Sequence, residues 1–196
     1  MASKYTNRDL IIEGTIRCAR KNGLSNVTMK TIGKEVGILG QGLYNHFENK
    51  EEVLNCCFEY CEKKIASLYN NYELDLDKDL MDILKEIWMI YFNYFVENPN
   101  ENSFYRQFRE AVRFSEPVKP SQEKDVFKSV NDIIDKIVER YPKVFSKVER
   151  NIVMAYVQFI TPVFAQMYSD GKINGDEKTR EELWNMISKG FGAFEY

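Results

Sequence analysis

The chain has 196 residues, 44% of them hydrophobic and 29% charged, with a net charge of −3. That length buries a real core in one large domain or two small ones, and the composition is that of a soluble globular protein rather than a disordered chain. No apolar run approaches the ~20 residues that span a bilayer and the N-terminus lacks the apolar core of a signal peptide, so the expected compartment is the cytoplasm, without membrane attachment. The charge is uneven. Residues 1–50 carry eight basic side chains against four acidic, a balance of +4, which leaves −7 for residues 51–196. A basic head on an acidic body suits a first part that meets a polyanion.

Pro and Gly are scarce, five and ten, and no hairpin dipeptide lies between alternating strands, so the chain reads as all-α with about nine helices. The first spans about Asn7 to Asn22, with Ile12, Ile16 and Ala19 on one stripe, Arg20 and Lys21 in the last turn and Gly23 as a left-handed cap. Thr28 is placed to N-cap a short second helix that ends at Gly37, where a tight turn needs positive φ. A third covers about Gly40 to Phe47. The fourth starts with a capping box, Asn49 and Glu52, and reaches about Asn71.

After an acidic link, Glu73 to Asp79, an aromatic-rich fifth helix runs from Leu80 to Glu97, and Pro99 stops it. The sixth covers about Ser103 to Phe114. Pro117 and Pro120 bracket a loop, and a seventh helix opens at Ser121 and closes before Pro142. Ser146 with Glu149 boxes the start of the eighth, which extends to Ser169; Pro162 inside it should kink it. Thr179 with Glu182 is read as the box that opens the ninth, ending near Phe194.

Cys57 and Cys61 share a helix face, with Cys56 beside them and Cys18 apart. A metal site would need further ligands, and the single histidine, His46, belongs to another motif; no metal or cofactor is expected. The favoured reading is small buried apolar thiols, with redox sensing as the alternative. No Ser/His/acid set and no phosphate-cradling glycine loop is present, so an enzyme is not expected.

The segment Thr28 to Lys50 carries most of the functional information. Two short helices around a glycine turn, followed by an aromatic pair, a histidine and a lysine, form a helix-turn-helix, which sets its second helix in the DNA major groove. Ile16, Ala19, Gly23, Thr28, Ile32, Gly37, Leu43-Tyr44-x-His46-Phe47, Lys50, Glu51 and Leu54 together resemble the N-terminal DNA-binding domain of the TetR/AcrR family of transcriptional repressors. The resemblance covers residues 6–54, about a quarter of the chain. It implies residues 5–66 as a DNA-binding head and 67–196 as a helical body for ligand binding and dimerisation.

Within that frame Thr28, Tyr44, His46 and Lys50 are expected to contact phosphates, although Tyr44 and His46 also suit packing. Base reading falls to Gln41, Asn45 and Lys30, with Gly40 and Gly42 allowing close backbone approach. Leu39 and Gly42 depart from the family pattern, which commonly has small polar residues there. In the body, Trp88, Tyr91, Phe92, Phe108, Tyr156, Gln158 and Phe159 are candidates for an effector pocket, a large aromatic core being the alternative. Arg106, Arg109 and Arg113 read as a solvated face or an anion site. By resemblance the last two helices pair with their copies, with Val153, Val157, Ile160, Phe164, Trp184, Ile187 and Phe191 as contacts. The implied partners are double-stranded operator DNA of palindromic form, a small-molecule effector and a second copy of the chain. A helical dimeric adaptor or small-molecule carrier without operator binding is the rival reading.

Overall fold

In the computed structural model the described residues are 7–38, 41–113, 127–142 and 147–189, without the side chains of 112–113 and 147–151. Among them are nine α-helices, one 3₁₀ turn and no strands: α1 (Asn7–Asn22), a 3₁₀ turn (Leu24–Asn26), α2 (Met29–Val36), α3 (Gln41–Tyr44), α4 (Lys50–Ser67), α5 (Leu80–Glu97), α6 (Pro99–Arg113), α7 (Lys128–Arg140), α8 (Lys147–Ser169) and α9 (Glu177–Lys189). The all-α expectation and the helix count agree with this.

Several ends have clear local causes. Gly23 has positive φ (80°) but an extended ψ of 146°, so it redirects the chain into the 3₁₀ turn instead of closing a left-handed cap. Thr28 and Thr31 exchange bonds reciprocally, Thr31 N–H to Thr28 Oγ1 at 3.1 Å and Thr28 N–H to Thr31 Oγ1 at 2.8 Å, which fixes the start of α2. Gly37 at φ 72°, ψ 18° ends it in the left-handed region. Helix α4 stops at Ser67, short of Asn71, because residues 65–72 tighten into i→i+3 turns.

Two starts differ from expectation. Pro99 opens α6 one turn before Ser103, since proline lacks only an N–H that the first turn leaves unbonded. Helix α9 opens at Glu177 because Asp176, not Thr179, is its cap: Asp176 Oδ1 accepts the Thr179 N–H at 2.8 Å. The Ser146–Glu149 box lies outside the described residues and side chains.

The described chain forms two compact units, residues 7–64 with 100–113 and residues 65–99 with 127–189. The first packs α1, α2, α3 and most of α4 around buried Ile11, Ile16, Val27, Ile32, Leu43, Phe47 and Val53. Helix α6 joins this unit, so the compact body does not follow a cut at residue 66: Phe58 stacks on Tyr105 at 5.2 Å and on Phe108 at 4.9 Å. Gln107 of α6 accepts the Leu24 N–H at 2.7 Å, which satisfies an amide of the 3₁₀ turn.

The second unit has an aliphatic cluster of Leu80, Ile83, Ile133 and Ile137 with Tyr69. Beside it α5 carries an aromatic stack onto α8 and α9. Trp88 lies 5.0 Å from Phe92 and 5.6 Å from Trp184, and its indole N–H donates to Thr161 Oγ1 at 3.0 Å. That bond satisfies both buried polar groups, as a buried indole requires.

Candidate nucleic-acid interface

The geometry of α2 and α3 depends on close backbone approach. A Cβ added at Gly14 would lie 2.0 Å from Val36 Cγ1, and one at Gly33 would lie 2.4 Å from the Ile38 carbonyl oxygen. No side chain fits at Gly33, so α2 and the turn can fold tightly only with glycine there. Glu35 then ties α2 to α1: its carboxylate accepts Lys21 Nζ at 2.8 Å and Arg17 Nε at 3.3 Å. These cations, Lys21 foremost, hold the Glu35 carboxyl below its ordinary range.

Helix α3 has only four described residues, and its end is closed by His46 N–H to Leu43 C=O at 3.0 Å and Phe47 N–H to the same carbonyl at 3.1 Å. Leu43 and Phe47 are buried, which turns Gln41, Tyr44 and Asn45 outward. Tyr44 is 51% exposed, far more than a packing role would leave it. Thr28 and Lys30 are also exposed, and His46 and Lys50 are half-buried. The first unit therefore carries Thr28, Lys30, Gln41, Tyr44, Asn45, His46 and Lys50 on its helix-turn-helix and the start of α4. Gly40 lies outside the described residues.

Two of these positions have duties within the fold. The Thr28 hydroxyl is the α2 cap. A Cβ at Gly42 would lie 2.7 Å from Ile38 Cγ2, so this glycine lets α3 sit on the turn that precedes it. Its departure from the family pattern has a packing cause.

Arg8, which the amino-acid order marks only by its charge, makes several contacts at once. Its guanidinium donates to the His46 carbonyl, to Glu52 Oε1 at 3.0 Å and to Cys56 Sγ at 3.3 Å, and it lies 4.1 Å from the centroid of the Phe47 ring. Glu52 accepts the Glu48 N–H at 2.6 Å as well, and this bond, with Arg8 second, holds its carboxyl low. The other half of the α4 cap is as expected, Asn49 Oδ1 accepting the Glu52 N–H at 2.9 Å.

The four cysteines are free thiols, with Cys18, Cys57 and Cys61 buried. Burial pushes the Cys57 and Cys61 thiols up, which leaves them uncharged and unreactive. Burial also pushes the Glu62 carboxyl up to about 7, with Glu59 adding to the rise and Arg109 opposing it. Arg109 donates to the Tyr105 hydroxyl at 3.3 Å and Arg106 is half-buried, so these two are more engaged than a solvated face implies.

The pocket candidates fall in both units. Phe108 packs in the first unit, Trp88, Tyr91 and Phe92 are buried in the core of the second, Tyr156 and Gln158 are half-buried, and Phe159 is 43% exposed on α8. The candidates for contact with a second copy divide as well. Val153, Val157, Ile160 and Phe164 are half-buried, and Phe191 lies outside the described residues. Trp184 and Ile187 are buried within the unit's own core, where Trp184 stacks on Trp88. They are not surface positions.

In their place Ile152 (62% exposed) and Met186 (58%) stand out as exposed apolar side chains. Within α8, Ile152–Ser169 is by length and composition apolar enough to cross a membrane, with only 17% of it buried. Gln158, Pro162 and Gln166 interrupt its apolar character, but it contains no charged residue.

The family described as "Bacterial regulatory proteins, tetR family" matches residues 11–57, the stretch that holds the helix-turn-helix. The chain is 26% identical over 80 residues to the HTH-type transcriptional regulator AcrR of Shigella flexneri, covering 41% of this chain and 37% of that one. It is 25% identical over 97 residues to the nucleoid occlusion factor SlmA of Vibrio cholerae, 49% of each chain. The match thus spans about half or less of these relatives' length. A crystal structure of a TetR family transcription regulator from Marinobacter aquaeolei has the same fold, with a TM-score of 0.72 at 19% identity over 92% of both chains. The N-terminal stretch thus matches the tetR family, and nearly the whole chain shares its fold with a TetR family regulator, a combination that supports a TetR/AcrR-type regulator.

Proposed function

We propose that the chain is a ligand-responsive repressor that binds a palindromic DNA operator as a homodimer in the cytoplasm. The observation that carries this reading is the outward set on the first unit: Gln41, Tyr44 and Asn45 project from α3 while Thr28 and Lys30 lie exposed beside them on α2. Tyr44, His46, Lys50 and the start of α2 serve as phosphate contacts, and Gln41, Asn45 and Lys30 serve as base contacts. The helix-turn-helix part of the first unit acts as the DNA-binding head, with α6 packed into the same unit, and the second unit holds the effector-responsive and dimerising parts.

The apolar face of α8 supports the dimer. Ile152 and Phe159 with half-buried Val153, Val157 and Ile160, joined by Met186 of α9, are side chains that a second copy would cover. Two-fold symmetry then sets two heads on half-sites about 34 Å apart. An effector acts by favouring a dimer with a different head spacing.

Footprinting on DNA upstream of the chain's own coding sequence tests the reading, followed by affinity against salt. A protected palindrome is expected, with affinity falling steeply as salt rises. Lys50→Ala should lower the slope of log K against log salt by about one. A folded dimer that protects no site at low salt would overturn the proposal in favour of an adaptor or carrier.

A further inference from the structure

We propose that Arg8 is the positioning residue of the recognition helix: it holds the C-terminal end of α3 in register between α1 and α4. This rests on the DNA-binding reading above and deepens it.

Helix α3 cannot hold its own orientation. Its four described residues are far below the ~12–15 at which a helix is even marginally stable alone, and Gly42 weakens it further. Leu43 and Phe47 anchor it through apolar contact, but apolar contact is not directional. Arg8 supplies the direction. From α1 its planar fork donates at once to the His46 carbonyl, just past the end of α3, and to the Glu52 carboxylate and the Cys56 sulfur on α4. Its flat face covers the Phe47 ring.

The groups that face it are therefore one carboxylate, one thiol, one backbone carbonyl and one aromatic ring, drawn from the junction after α3 and from α4. A cation beside the carbonyls at a helix end also satisfies acceptors that the helix leaves open. Glu52 is fixed in turn by the Glu48 N–H, so the clamp reaches every residue between Tyr44 and Lys50 through at most one neighbour. The phosphate-facing residues Tyr44, His46 and Lys50 all lie on or beside this stretch. A side chain that makes four contacts within the unit is positioned to orient those residues, and since it is also 43% exposed the salt slope below separates that role from phosphate contact.

Arg8→Ala and Arg8→Lys test this, against a duplex enriched by the wild-type chain from a random pool. Arg8→Ala should weaken specific binding by roughly tenfold to a hundredfold, the loss of a charge-assisted bond. The slope of log K against log salt should stay unchanged, because no phosphate partner has been removed. Arg8→Lys keeps the charge without the fork and should stay close to the alanine variant. Hydrogen exchange of the free protein should show faster exchange at Asn45, His46 and Phe47 with α1 and α2 unchanged.

A slope reduced by about one would make Arg8 a phosphate ligand and overturn the proposal. Full rescue by lysine would overturn it too, as would exchange accelerated evenly through the unit, the mark of a general loss of stability. Should the wild-type chain enrich no duplex, the functional reading fails, and the exchange result alone decides whether Arg8 holds the segment.

Discussion

The two units are held together by different means. In the first, helices are short and meet at glycines, and polar clamps set their angles: Glu35 between Lys21 and Arg17, Arg8 between the end of α3 and α4, Gln107 on the 3₁₀ turn. In the second, helices are long and the joining groups are mainly rings and aliphatic side chains, with polar links from Trp88 to Thr161, Ser169 to the Val96 carbonyl and Lys85 to Glu181 among the described residues. Directional contacts fix a shape and cost specificity when lost; apolar area supplies stability and tolerates change of detail. A surface that must match a groove needs the former.

Three substitutions press on that contrast. The largest effect belongs to the second unit: Phe92→Ala, at a fully buried ring, should cost about 3–5 kcal/mol in urea unfolding followed by tryptophan fluorescence. A cost under about 1 kcal/mol would show that the aromatic stack is not what stabilises the unit.

Next comes Gly33→Ala in the first unit, where the new Cβ meets a backbone oxygen at 2.4 Å. Thermal unfolding should register about 1–3 kcal/mol, and operator affinity should fall with it because the turn before α3 must shift. Stability loss with affinity intact would separate tight glycine packing from groove fit.

The smallest effect is electrostatic. The Glu62 carboxyl sits at about 7 in the folded chain against an ordinary value of 4.5. Its charged form therefore destabilises the fold fully above about pH 7, and that cost fades as pH falls toward the unfolded value. Glu62→Gln should stabilise the chain by about 1 kcal/mol near pH 8, discounted for its partial exposure, and by almost nothing near pH 5. Denaturation midpoints at the two pH values check it; an equal gain at both would remove the carboxyl as the cause.

Much of the first unit was legible in the amino-acid order because its signals are local. Asn7–Asn22 carries its stripe, basic end and glycine within one helix length, and Thr28 with Gly37 brackets α2. Leu80–Glu97 was legible for the same reason, ahead of Asn98 and Pro99. The start of α9 was not. Asp176 and Thr179 are both competent caps three residues apart, and only the earlier one was used.

Arg8 stayed hidden because its partners lie 38 to 48 residues away, and no periodicity connects them. Trp184 and Ile187 were misplaced for a related reason. An amphipathic helix announces an apolar stripe but not whether that stripe meets its own core or another chain. Trp184 and Ile187 are buried inside the unit, whereas Ile152, Phe159 and Met186 are exposed.

The Trp88–Trp184 pair has a practical consequence. These are the two tryptophans of the chain, both in the second unit, with ring centroids 5.6 Å apart. Indole rings that close exchange excitation, so their emission and near-ultraviolet optical activity report the approach of α9 to α5. The first unit has tyrosine emission only. In an unlabelled sample, light absorbed at the red edge of the indole band therefore follows the second unit alone, whereas tyrosine emission comes from both units.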